Sequence, residues 1–294
     1  MGSVDLLVQD ALKNTHESLS KELNSDVILY SGPMGFETPH IFKEVIKTFT
    51  RKKRTLSIIL TTGGGPVEPV ERAVEIIRKS YVYVNFIVPD YAMSAGTIFC
   101  MSGDKIYMNQ ASSLGPIDPQ VQKRDGTFIP AIGYLEKFEE LVEKSKTNDI
   151  SPAEIDLLRK LDLGDLSRYE QARNLTVTLL KKWLVNYKFK NWKIHGTTPE
   201  KKGKPVTIEE KNDRAEDIAK KLNNIAMWHS HGRHICIDTL RKELKLKIEN
   251  YTNRKNLAQH IEQYHGIAVD YISKNDYFLY VHAGRAFSVL RRQR

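Results

Sequence analysis

Residues 56–66 read Leu56-Ser57-Ile58-Ile59-Leu60-Thr61-Thr62-Gly63-Gly64-Gly65-Pro66, an apolar, β-branched run stopped by three glycines and a proline. A run that is apolar on both faces of the pleat is a strand buried on both sides, as in a parallel sheet. Val70, Ala73, Val74, Ile76 and Ile77 then recur at helical spacing. The same strand–turn–helix order stands on either side. Upstream, Val27–Tyr30 is an apolar run ended by Ser31-Gly32-Pro33. Thr38-Pro39 then opens a helix reaching about Phe49, with Thr38 suited to cap it and Pro39 to its first turn. Downstream, Tyr81–Val88 reads as a third strand, Ser94–Met101 as a short helix and Ile106–Met108 as a fourth strand. Residues 4–23 carry Leu6, Leu7, Ala11, Leu12 and Leu19 at amphipathic helical spacing. The expectation is an α/β fold with a parallel sheet covered on both faces.

The remaining chain reads differently. After Gly115-Pro116, helical patterns cover 132–146, 152–161, 167–188, 208–225, 235–246 and 253–264. Residues 194–205 are a polar loop, and Tyr277–Val281 is a late strand. This divides the 294 residues into an N-terminal helix (1–25), an α/β core (26–130) and a mostly helical part (131–294) that completes the site. Hydrophobic residues at 40% and charged residues at 28% exclude a disordered or fibrous chain, and two cysteines exclude a disulfide scaffold. No stretch approaches the ~18 apolar residues of a spanning helix, and residues 1–9 carry no basic-then-apolar leader. A soluble, cytoplasmic protein is expected.

Two features carry chemistry. Backbone N–H groups of the 63–65 turn, at a helix N-terminus, are suited to an oxyanion, or equally to a tight connection alone. Asp90-Tyr91-Ala92-Met93-Ser94-Ala95-Gly96-Thr97 puts a serine between small residues at a strand-to-helix bend. Ser94 can there be an exposed nucleophile, or simply a helix cap. Turns following adjacent parallel strands converge at one sheet edge. A glycine-turn N–H, that of Gly65 with Gly64 beside it, and the N–H of Ala95 would then share one substrate oxygen next to Ser94.

The pair Thr62-Gly63-Gly64-Gly65 and Ala92-Met93-Ser94-Ala95-Gly96-Thr97 resembles the Clp-fold serine peptidases, which include the Clp-type and signal-peptide-peptidase-A-type enzymes. Gly103-Asp104-Lys105-Ile106-Tyr107-Met108, followed by Leu114-Gly115-Pro116-Ile117-Asp118-Pro119-Gln120, is similar more specifically to the serine dehydrogenase proteinase (SDH) family. The resemblance covers roughly residues 26–122. It implies a ClpP/crotonase-like spiral of ββα units and cleavage of peptide bonds in extended or unfolded chains through an acyl-enzyme. It also implies a homo-oligomer and no cofactor for the serine chemistry.

A serine hydroxyl needs a proton acceptor. No histidine occurs between residues 41 and 194, so the Ser, His, Asp order of Clp-type enzymes is impossible. The resemblance to the SDH family implies the order Ser, Asp, His, with Ser94 and Asp118 in the first two places. Trp228-His229-Ser230-His231-Gly232-Arg233-His234 offers the third, with His231 first, His229 second and His234 third. Asp118 would orient the imidazole, or merely cap an Ile-Asp-Pro turn. The metal-like spacing of His229 and His231 has only Cys236 as a soft neighbour, so no metal is expected. The rival base is Lys137, as in Ser–Lys dyads of the signal-peptide-peptidase-A type. Its neighbours Glu136, Glu139 and Glu140 mark a solvated helix face instead.

The net charge of +9 gathers away from these motifs. Residues 181–204 hold eight lysines against Glu200, interleaved with Trp183, Tyr187, Phe189 and Trp192, and the last ten residues carry Arg285, Arg291, Arg292 and Arg294. Such a segment can contact nucleic acid or an anionic membrane, but on an amphipathic helix its aromatics belong to the core or an oligomer contact. A crotonase-like acyl-CoA enzyme and a non-catalytic basic scaffold are the other readings open at this point.

Overall fold

The computed structural model describes residues 3–122, 128–196, 199–284 and 288–292. Helix α1 (Ser3–Leu23) precedes β1 (Asp26–Ser31), α2 (Thr38–Thr48), β2 (Thr55–Thr61), α3 (Val67–Ser80) and β3 (Tyr83–Val88). The short strand β4 (Tyr91–Ala92) leads into α4 (Ala95–Met101), β5 (Lys105–Met108) and β6 (Ser113–Leu114). A small hairpin, β7 (Gln120–Gln122) and β8 (Phe128–Pro130), opens the second half. Then come α5 (Ala131–Lys146), α6 (Pro152–Arg159), α7 (Leu163–Trp183), α8 (Ile208–Leu222), α9 (Ile225–Trp228), β9 (Ile235–Cys236) and α10 (Ile237–Lys242). The chain closes with β10 (Glu249–Asn250), α11 (Lys255–Lys274), β11 (Tyr277–His282) and β12 (Ser288–Arg292).

The main sheet has the order β10-β5-β3-β2-β1-β11-β12, parallel from β10 to β1 and antiparallel beyond. The expected parallel sheet is present, and residues beyond 131 supply its outer strands at both edges. Alternation along the strands sorts the core into two layers. Ile28, Tyr30, Leu56, Ile58 and Leu60 face α2, α3 and α4. Val27, Leu29 and Ile59 face α1 and α11, where they meet Leu12, Leu19, Ile261 and Tyr264. Both faces are therefore dry, which is why these strands carry unbroken apolar runs.

Several expected boundaries shift. Thr38 does not cap α2; Glu37 takes that place, and Thr38 Oγ1 lies 3.0 Å from the Tyr30 hydroxyl. The helix expected over 235–246 is only α10, because Ile235-Cys236 are spent on pairing with Ser113-Leu114. The pattern at 253–264 continues through Gly266 to Lys274. The 167–188 helix begins at Leu163 and loosens into a π-turn over Leu184–Lys188. The 208–225 helix breaks after Leu222. The loop over 194–205 is largely irregular, with Thr197 and Thr198 outside the described residues. Among the described residues no helix is long and apolar enough to cross a membrane.

Candidate active site

The glycine turn and the serine bend are stitched together by backbone. Thr62 N–H donates to Tyr91 O at 3.1 Å, and Met93 N–H donates to Thr62 O at 2.9 Å. These bonds extend the parallel order past β2 and bring residues 63–65 against residues 93–95. The approach is close: a Cβ on Gly64 would stand 2.8 Å from both Met93 O and Ser94 Cβ, and Gly64 has φ +100°. Only glycine fits there, for space and for conformation. Met34 N–H donates to Gly64 O at 2.9 Å and holds the turn from its other side.

Ser94 has φ +51° and ψ −119°, a sparsely populated conformation for a residue with a side chain. Such a bend stores on the order of 1–3 kcal/mol and persists only where the surroundings enforce it. Ser94 stands at the N-cap position of α4, yet its hydroxyl makes no capping hydrogen bond. The capping role weighed from sequence is thus absent, and Ser94 is half-buried. Of the nearby donors, Gly64 N–H is committed to Thr62 Oγ1 at 3.0 Å. The N–H groups of Gly65 and Ala95 donate to no described group.

Asp118 and the His231 loop meet through two short strands. Strand β6 pairs antiparallel with β9, Leu114 opposite Ile235. Four residues on from Leu114 is Asp118, and four back from Ile235 is His231, so the register aims the two at each other. His231 Nδ1 lies 2.9 Å from Asp118 Oδ2. The contact is an ion-pair approach rather than an aligned hydrogen bond, and among the described residues neither Asp118 oxygen has a hydrogen-bond partner. The Asp118 side chain is fully buried and that of His231 is 18% exposed. A buried carboxylate with so few partners depends on the imidazole beside it. Two hydrogen bonds fix the loops: backbone Ile117 N–H to Leu222 O at 3.0 Å, and the Trp228 indole Nε1–H to Lys221 O at 2.7 Å.

The other candidates lie apart. His229 is exposed, with φ +62°, and touches no carboxylate among the described residues. His234 Nδ1 pairs with Ser113 Oγ at 2.7 Å and ties β9 to β6. Lys137 projects from α5 half-exposed and pairs with Glu140 at 2.9 Å, the solvated arrangement expected for it. Among the described residues no group of three or more His, Cys, Asp or Glu is gathered for a metal. In the basic segment, Trp183 is buried, Tyr187 lies under the Arg78 guanidinium, and Phe189 packs edge-on against Trp192. These aromatics pack within the fold rather than forming an open stacking platform. Arg285 and Arg294 lie outside the described residues, and Arg291 and Arg292 are described only as backbone of β12.

One histidine went unremarked in the sequence. His265 on α11 directs Nε2 at Thr61 Oγ1 (3.3 Å) and Asp90 Oδ2 (3.5 Å). Burial lowers its pKa, with Asp90 opposing. On an apolar helix face beside Ile261, Tyr264 and Ala268, its sequence setting is that of any core histidine.

Residues 39–211 match the profile of the ClpP-like SDH-type serine proteinases. The match covers more than half of the chain, which therefore belongs to this family of serine proteinases and has its ClpP-like fold. Two uncharacterized proteins of Methanocaldococcus jannaschii are similar. MJ0137 is 28% identical over 170 residues, 57% of this chain and 54% of its own length. MJ1495 is 24% identical over 206 residues, 70% of this chain and 56% of its own length. The chain thus spans little more than half the length of these relatives. Among solved structures, two mutants of a 1510-N membrane-bound stomatin-specific protease are similar at 15% identity. One covers 80% of this chain and 81% of its own at a TM-score of 0.44. The other, in complex with a substrate peptide, covers 80% and 77% at 0.45.

Proposed function

We propose that this chain is a serine peptidase acting through a Ser94–His231–Asp118 triad in the order Ser, Asp, His. The observation that carries the reading is the buried Asp118 carboxylate 2.9 Å from His231 Nδ1, set by the β6–β9 register. Nδ1 faces the acid, which leaves Nε2 to take the proton of the Ser94 hydroxyl as its oxygen attacks the scissile carbonyl. The carbonyl oxygen, becoming an oxyanion, is received by the uncommitted N–H groups of Gly65 and Ala95. Imidazolium then protonates the leaving amine, and water releases the acyl-enzyme by the reverse proton path. Asp118 stabilises the imidazolium and holds the ring orientation. Ser94 makes no hydrogen bond to His231 in the structure; contacts of this kind commonly tighten only with substrate bound.

The substrates fitting this reading are extended or unfolded polypeptides, and the working form is a homo-oligomer in the cytoplasm. The test is labelling by a fluorophosphonate probe and cleavage of casein or a peptide, for wild type and for Ser94→Ala, His231→Ala and Lys137→Ala. The triad requires loss in the first two variants and retention in the third. Loss with Lys137→Ala and retention with His231→Ala assigns the base to the lysine.

A further inference from the structure

We propose that His265 is a positioning residue that holds the glycine turn and the serine bend in register from the sheet face opposite α3 and α4. The inference rests on the triad reading above. Side chains of β2 alternate, and Thr61, in line with Ile59, points to the face that α11 covers. Thr61 directly precedes Thr62, whose backbone carries both bonds to the serine bend and whose hydroxyl accepts from Gly64 N–H. Asp90 directly precedes Tyr91, the acceptor of one of those bonds. One imidazole nitrogen therefore contacts the residues directly preceding Thr62 and Tyr91, whose backbones are bonded to each other.

The ring proton is assigned to Nε2 because a carboxylate oxygen, which can only accept, and the Thr61 hydroxyl both face that atom; the hydrogen bond is to Thr61, and Asp90 stands beside it at ion-pair distance. The bond is long-range in sequence, joining residues 204 positions apart, so it ties the late helix to the early sheet edge. Without it, β2 and the β3–β4 connection remain paired through Thr62 and packed on α11 through Ile59 and Ile87, but these apolar contacts lack the direction of a polar tie. A shift of even a fraction of an ångström between Gly65 N–H and Ser94 Oγ weakens oxyanion binding and leaves substrate binding elsewhere intact. His265 touches no reacting atom in this scheme. Its Nε2 is occupied, so it is not a second base.

The experiment uses the full chain as wild type, Ser94→Ala, His265→Ala, His265→Gln and Thr61→Val. Three quantities are read: the rate of Ser94 labelling by a fluorophosphonate probe, kcat and KM on a peptide, and Tm. Positioning predicts that His265→Ala lowers the labelling rate and kcat about tenfold with KM and Tm unchanged. His265→Gln, which returns an N–H near the Nε2 position, restores most of the rate, and Thr61→Val reproduces part of the loss. Full activity in His265→Ala overturns the proposal, as does a rate that falls only in step with Tm and is not rescued by glutamine. If His265→Ala does not fold, Thr61→Val decides, and a wild-type rate there overturns the clamp. A wild type that does not label at Ser94 sinks both the triad and the clamp; a labelled wild type with an unaffected His265→Ala sinks the clamp alone.

Discussion

Two histidine–carboxylate pairs stand near the C-terminal ends of the parallel strands, and they are built in opposite ways. In one, His231 turns Nδ1 to a fully buried Asp118 at 2.9 Å. In the other, His265 turns Nε2 to a half-exposed Asp90 at 3.5 Å and shares that nitrogen with Thr61. The atom left over decides what each ring can do. His231 leaves Nε2, the nitrogen farther from its backbone, uncommitted among the described residues. His265 has spent that nitrogen on the framework. Burial of the acid separates the pairs further: Asp118 has an imidazole and little else to stabilise its charge, whereas Asp90 has water. Proximity of a histidine to an acid is therefore a weak sign of catalysis, and the ring nitrogen used is a strong one.

The largest expected effects break this comparison outright. In a triad working as a unit, removing nucleophile or base costs on the order of 10⁶ in kcat. Ser94→Ala and His231→Ala are expected to abolish peptide cleavage and probe labelling. Asp118→Asn is expected to cost less, on the order of 10⁴, because the base survives in a poorer orientation; steady-state kinetics on one peptide ranks the three. An Asp90→Asn change as damaging as Asp118→Asn would erase the distinction between the pairs. Next, Gly64→Ala pushes a Cβ against Ser94 Cβ and Met93 O and forces φ +100° on alanine. It is expected to lower the probe-labelling rate and to destabilise the fold by about 1–3 kcal/mol in urea titrations.

A third histidine sharpens the comparison, because it is buried with no acid at all. His282 Nδ1 lies in hydrogen-bond contact with the Tyr264 hydroxyl at 2.6 Å, and burial, aided by His16, pushes its pKa down to about 3. An unfolded histidine near 6.5 takes up a proton that the folded one refuses. Stability carried by His282 is therefore complete above about pH 6.5 and falls as pH drops toward about 3, by up to about 1.4 kcal/mol per pH unit. Urea titrations at pH 7.5 and 5 are expected to show this loss, and a His282→Gln chain is expected to show a shallower one. The smallest effect is for Lys137→Ala, which removes an exposed lysine–glutamate pair and is expected to leave activity and stability within error.

The framework was legible in the chain because periodicity is local. Leu56–Leu60, Val27–Tyr30 and the helix after Pro66 obey patterns set by neighbours within a few residues. The Thr62–Gly65 and Ala92–Thr97 motifs carried the family as well. Legibility failed where pairing partners lie far away. Ile235-Cys236 looked like the start of a helix, and Ser113-Leu114, more than a hundred residues earlier, turned them into a strand. Thr38 looked like a cap until the Tyr30 hydroxyl claimed it. The choice of His231 over His229 was available only as a resemblance, since both sit in the same short loop.

By itself the sequence determined the strand–turn–helix order, a glycine where backbone must pass backbone, and a serine between small residues at a bend. Short-range sterics and hydrophobic periodicity suffice for these. Only the tertiary structure decided which histidine meets Asp118, that Gly64 N–H is already committed, and that His265 reaches across 204 residues to the sheet edge. Those are distances between segments remote in sequence, and they are settled by strand register and the packing of α11 on the sheet. No local pattern encodes either one.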